Sequence, residues 1–214
     1  MAISDDILAR AAPVLDRMLA HRFVEDICAD RLPRDVFHRY LAYEGAFVET
    51  AISIFAYATA RAPDMAARRW LIGVQSALAE SQIPYFEDRF AQLGIAPDTP
   101  LPPQARAFDK RMLEIAERGS FVDIVTAMFA AEWMYLAWSR RAHAGPISDP
   151  DLRAWVGLHV DDTFVAQAEW LKSAIDTHAD PADTARLAAI FVEVTELEIA
   201  FHHAPYAPCD EVSA

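Results

Sequence analysis

Three glutamates stand at positions where a helix would present apolar side chains. Between residues 34 and 61 the apolar stripe runs Phe37, Tyr40, Leu41, Val48, Ala51 and Phe55, and Glu44 fills the step after Leu41. Between residues 120 and 144 it runs Phe121, Val125, Met128, Phe129 and Leu136, with Glu132 in the gap. In the last helical stretch Leu187, Ile190, Phe191, Val194 and Phe201 leave their gap at Glu198. A carboxylate on a core-facing stripe is costly unless it is paired or protonated. The same burial raises its pKa toward the range useful for proton transfer. Three such residues could surround one internal polar pocket, or could sit at stripe edges, reaching water or pairing structurally. Tyr40, Tyr43, Phe47, Trp133, Tyr135 and Phe201 crowd the same segments. An aromatic stripe is ordinarily core. Mixed with inward carboxylates, it suits a flat, basic, nitrogen-bearing ring, stacked on aromatics and hydrogen-bonded by a carboxylate.

The elements that must position these residues read as helices almost throughout. Apolar residues recur at steps of three and four, and alternating β-branched runs are absent. Ser4-Asp5-Asp6 is expected to cap a helix through about Ala20, with Pro13 as a kink, and a short helix spans His21 to Ala29. Leu32-Pro33 breaks the chain before a helix over 34–61. Ala62-Pro63-Asp64 opens a helix to about Leu93, bent at Pro84 and stopped at Gly94. Prolines 97, 100, 102 and 103 mark a loop. Further helices are expected over 103–118, over 120–144 with Ser120 as cap, from Ser148 or Asp149 to about His178, and from Asp180-Pro181 to about His203. The tail from about Ala204 is expected to fray. Long helices with short connections imply one all-α domain over 1–214, a compact bundle of antiparallel neighbours.

Composition narrows the chemistry. Of 214 residues, 54% are hydrophobic and 24% charged, which fits an ordinary globular chain. A net charge of −13 repels phosphate backbones and argues against nucleic acid. Six glycines leave no room for a Gly-rich phosphate loop. The two cysteines, Cys28 and Cys209, form no disulfide framework or zinc motif, and both are expected to be chemically inert. The acidic N-terminus and the lack of a long uninterrupted apolar run lead to the expectation of a cytoplasmic protein with no membrane span.

Together these residues resemble the TenA family, also called thiaminase II or aminopyrimidine aminohydrolase, over about residues 20–206. The resemblance is carried by His21-Arg22-Phe23-Val24, Leu32-Pro33 with Phe37 and Tyr40-Leu41, Glu80 leading into Leu93-Gly94-Ile95, Trp133 and Tyr135, Trp155 with Phe164, and Glu198 with Phe201. It implies a haem oxygenase-like helical bundle, assembled as a homotetramer or dimer. It also implies hydrolysis of 4-amino-5-aminomethyl-2-methylpyrimidine, or of a derivative, to the hydroxymethylpyrimidine in thiamine salvage. Residue by residue, the family's pyrimidine-binding aspartate falls on Glu44, its following tyrosine on Phe47, its late-helix tyrosine on His159, and its catalytic glutamate on Glu198 with Phe201 beside it. Tyr135 is retained. The nucleophilic cysteine falls on Ala131, and the chain is closer to the family branch that lacks it.

The reading this supports is a non-covalent hydrolysis. Glu44 binds the amidine face, Glu198 shuttles protons, and Glu132 assists. Tyr43, Phe47, Tyr135 and Phe201 wall the ring, and His159 donates to a substrate nitrogen or orients water. The partner is a small aminopyrimidine, and no cofactor or metal is expected. Two other readings stay open: a pyrimidine-binding or regulatory protein without catalysis, and a non-haem di-iron oxidase on the same fold. The latter would use Glu198 and His202, one turn apart, joined by Glu44, Glu80, Glu132 or His159.

Overall fold

A computed structural model describes residues 2–207, and every regular element among them is helical. In chain order these are α1 (Ile3–Leu19), α2 (Arg22–Cys28), α3 (Arg34–Arg61), α4 (Met65–Ala77), a π-helical segment (Leu78–Gln82), α5 (Ile83–Leu93), α6 (Pro103–Arg118), α7 (Phe121–His143), α8 (Pro150–Leu158), α9 (Asp162–His178) and α10 (Thr184–His203). Short 3-10 turns cover Pro181–Asp183 and Ala204–Tyr206. The rest of the tail expected to fray, Cys209 included, lies outside the described residues.

The residues group into two units. The first comprises Met1–Leu32 and Val125–Ile199, hence α1, α2, α8 and α9 with most of α7 and α10. Its core holds Ile7, Phe23, Phe129, Trp138, Trp155 and Phe191, all at most 1% exposed. Helix α7 is long and apolar enough to cross a membrane by composition alone, but 72% of its most apolar stretch is buried within the protein, as in a core helix. The second unit comprises, among the described residues, Pro33–Ile124 and 200–207, and in it α3 packs against α4, α5 and α6.

Local chemistry explains most boundaries. Asp64 accepts from the Ala67 amide and starts α4. Ser120 and Asp123 form a reciprocal cap on α7: the Ser120 amide donates to Asp123 Oδ2 at 2.8 Å, and the Asp123 amide reaches Ser120 Oγ at 3.4 Å. Gly94 stops α5 in the left-handed region, at φ 69°.

Three expectations are corrected. Ser4 does not cap α1. It is fully buried inside the helix, and both its amide and its hydroxyl donate to the Asp176 carboxylate of α9. The helix expected to run unbroken to Leu93 with a bend at Pro84 is instead interrupted by the π segment, where the Ile83 amide donates to Leu78 O, five residues back. Pro84 has no amide to give and its ring crowds the carbonyl four residues before it, so the chain widens by one residue just upstream. The single helix expected from Ser148 or Asp149 to about His178 is two helices. Asp149 caps α8, and Asp161 accepts from the Phe164 amide at 2.8 Å to start α9 afresh.

Candidate active site

Within the first unit, the stripe reading holds for two of the three glutamates. Glu132 is 7% exposed and Glu198 is 2% exposed. Phe129 packs on Phe191 with ring centroids 5.3 Å apart. Glu132 follows Phe129 by one turn of α7, and Glu198 follows Phe191 by two turns of α10. From α9, Gln167 donates its Nε2 hydrogen to Glu132 Oε1 at 2.5 Å. Glu132 Oε2 is buried and has no hydrogen-bond partner among the described residues. Burial pushes the Glu132 pKa up to about 8, against a smaller downward pull from the Gln167 amide. Glu132 is therefore a neutral acid at neutral pH, able to donate a proton.

Tyr135 and His159, both half-buried, are brought together in the same unit. Their rings stack at 4.8 Å with an interplanar angle of 17°. His159 is the residue that ends α8, and its Nδ1 lies 3.0 Å from the Trp155 carbonyl oxygen. Trp155 and Phe164 meet the imidazole edge-on at 5.0 and 5.1 Å. Trp138 lies 5.5 Å from Tyr135. The imidazole thus braces Tyr135 within an aromatic cluster.

In the second unit Glu44 is only half-buried, so its position on the α3 stripe lies at the edge of the apolar face and not within it. The next residue explains the local packing. A Cβ at Gly45 would lie 2.6 Å from Phe90 Cζ and 3.0 Å from Phe86 Cδ1, so only glycine lets α5 approach α3 this closely. Tyr43 is 3% exposed and meets Phe201 edge-on at 6.4 Å. Phe47 is half-buried against Phe108 at 4.8 Å, and Phe108 reaches Phe201 at 5.6 Å. Tyr43, Phe47 and Phe201 therefore belong to one aromatic nest.

His202, near a helix end where exposure is the usual expectation, is fully buried. Its Nε2 lies 2.9 Å from the Tyr40 hydroxyl. Glu80 lies exposed in the π segment. Among the described residues no group of three or more His, Cys, Asp or Glu side chains is placed to hold a metal ion.

Sequence reasoning missed Gln167 and Phe108. Phe164, Gln167 and Leu171 follow three- and four-residue steps, which was the available signal for Gln167. Ala131, at the family's nucleophile position, is 5% exposed beside Ala130 at 0%. Burial raises the pKa of Cys28, more than the Arg141 guanidinium lowers it, and keeps the thiol protonated.

A model of the TENA/THI-4/PQQC family matches residues 8–207. An aminopyrimidine aminohydrolase of Halalkalibacterium halodurans is 23% identical, with 96% of each chain aligned. A TenA homologue from Pyrococcus furiosus has the same fold at a TM-score of 0.87 and 18% identity, covering 95% of this chain and all of the other. A protein described as a TenA family transcription regulator, from Silicibacter sp. TM1040, superimposes at a TM-score of 0.85 and 22% identity, covering 94% of this chain and 95% of its own.

Proposed function

The chain belongs to the TENA/THI-4/PQQC family, and on that premise we propose that it is a hydrolase of an aminopyrimidine related to thiamine. The substrate is 4-amino-5-aminomethyl-2-methylpyrimidine or a derivative. The exocyclic C–N bond breaks, a C–O bond forms from water, and the products are the hydroxymethylpyrimidine and the released amine.

The observation that carries this reading is the pair of buried carboxyl groups, Glu132 and Glu198, on two helices of one unit. The leaving nitrogen needs a proton and the attacking water must lose one. A neutral carboxyl can supply the first and a carboxylate can take the second. Glu198 is assigned the proton shuttle, and Glu132 assists as the neutral acid. Ala131 offers no nucleophile, so the route is non-covalent. Assignment of the pyrimidine amidine to Glu44 rests on the residue correspondence with the family. So does placing Tyr43, Phe47, Tyr135 and Phe201 against the ring. His159 acts through Tyr135, which it stacks on.

The proposal extends to a homo-oligomer, tetramer or dimer, acting in the cytoplasm. Exposed Tyr57, Met65, Trp70 and Ile72 supply apolar surface for such an interface, and light scattering on the purified protein reads the state.

Glu198→Gln tests the chemistry. A fall in kcat of roughly 10²- to 10⁴-fold on the aminomethylpyrimidine is expected, and unchanged turnover removes the proton shuttle from Glu198. A wild-type protein that turns over no aminopyrimidine removes the hydrolase reading. If thermal shift still detects binding, Ala131 then favours the second reading, a pyrimidine-binding protein without catalysis.

A further inference from the structure

The hydrogen bond between Gln167 and Glu132 joins two helices, crosses 35 residues of sequence and ends on a carboxyl that is almost excluded from solvent. It engages only one of the two oxygens. Oε1 accepts from the Gln167 amide, while Oε2 is buried without a hydrogen-bond partner among the described residues.

Resting on the hydrolase reading, we propose that Gln167 is the positioning residue for Glu132: it fixes the carboxyl plane, occupies Oε1, and leaves Oε2 as the atom that holds and exchanges the proton. An oxygen already accepting from an N–H group is the poorer site for a hydrogen, so the acidic proton resides on Oε2. When Oε2–H gives its proton to the leaving nitrogen, the carboxylate that forms still accepts from Gln167 through Oε1. The bond becomes charge-assisted at that moment and strengthens as negative charge develops. Glu198 takes the proton of the attacking water, and once Glu132 is reprotonated for the next turnover Oε2 is again the available oxygen.

Two influences set the state of Glu132: burial raises its pKa, and the Gln167 amide lowers it. Lys172, further along α9, is engaged elsewhere, 2.9 Å from Asp5 Oδ1 and over the ring of Trp133.

The experiment compares wild type with Gln167→Leu, which removes the donor at similar volume, and Gln167→Asn, which keeps an amide on a shorter arm. Steady-state kinetics on the aminomethylpyrimidine across pH are read beside an infrared titration of the Glu132 carboxyl band, identified by its loss in Glu132→Gln. For Gln167→Leu the expectation is a roughly tenfold or larger fall in kcat with KM within about twofold. The carboxyl midpoint moves upward, because a bond that favours the ionised form is gone. Gln167→Asn is expected to lie between the two. A purely structural role would lower thermal stability and leave kcat and the midpoint in place, and that result overturns the proposal. Should Gln167→Leu not fold, Gln167→Asn alone decides by the same two readouts. An inactive wild type with a midpoint that moves in Gln167→Leu removes the hydrolase reading but leaves Gln167 in control of the Glu132 proton. An active wild type with an unmoved midpoint and kcat removes the role of Gln167 alone.

Discussion

The hydroxyl of Tyr40 and Nε2 of His202 lie 2.9 Å apart, and neither residue is exposed to solvent. This bond ties the end of α10 to α3. Arg39, the neighbour of Tyr40, reinforces it by donating Nε–H to the Pro205 carbonyl at 2.7 Å. Tyr40→Phe removes the hydroxyl and keeps the ring that meets Phe201 at 5.6 Å. We expect a loss of about 1–3 kcal/mol, the usual cost of taking one partner from a buried hydrogen bond, read by urea or thermal unfolding. Arg39→Ala in the same background should add further loss, because both bonds secure one segment.

Glu132 makes stability depend on pH in a known direction. Its folded-state pKa, about 8, stands above the ordinary 4.5. Between those values the unfolded chain has released a proton that the folded chain still holds. Stability therefore falls as pH rises through that window, and the loss is complete once the folded form ionises. Glu132→Gln lacks this group. The variant should gain on wild type as pH rises from about 4.5 to about 8, by up to about 1.4 kcal/mol per pH unit, and should stay level above. Urea unfolding of both proteins across the window measures it, and parallel curves would contradict it.

These two sites also mark what the sequence revealed. Periodicity was enough to place Glu132 and Glu198 inward, because both lie in the middle of long, strongly apolar stripes. Glu44 escaped the same logic. Its stripe is interrupted by Gly45 and Ala46, and small residues leave the width of the apolar face undefined. His202 was hidden for another reason: its burial is answered by a hydroxyl 162 positions away in the sequence, which local periodicity does not register. The separate α8 and α9 were readable in principle, since Asp161 followed by the acidic first-turn residue Asp162 is a helix-starting pattern, but the apolar run on both sides masked it. Prolines and Gly94 located the remaining boundaries because their backbone effects are local.

Gly45→Ala tests the close approach of α3 and α5. Its methyl would press on Phe90 and Phe86, and a cost of about 1–3 kcal/mol is expected. Phe90→Leu should relieve part of it, so that the double variant is less damaged than the two single variants sum to. Additive losses would mean that the two residues do not meet.

The non-covalent route makes a prediction about thiols. Cys28, its pKa raised by burial, should react slowly with iodoacetamide near neutral pH. Cys28→Ser and Cys209→Ser, alone or together, should keep turnover within about twofold of wild type. Loss of activity in either variant would point to a cysteine nucleophile that Ala131 does not supply.

The π segment at Leu78–Gln82 acts as a phase shift written into the chain. Each residue of an α-helix advances the side-chain direction by about 100°, so one surplus residue between α4 and α5 turns everything downstream by that angle. The aromatic face of α5, Phe86 and Phe90, meets α3 at Gly45 only after that turn. Deleting a single residue there would tidy the hydrogen bonding into a regular helix and aim both rings away from α3. A local irregularity in backbone pairing thus determines which side of a helix its neighbours see.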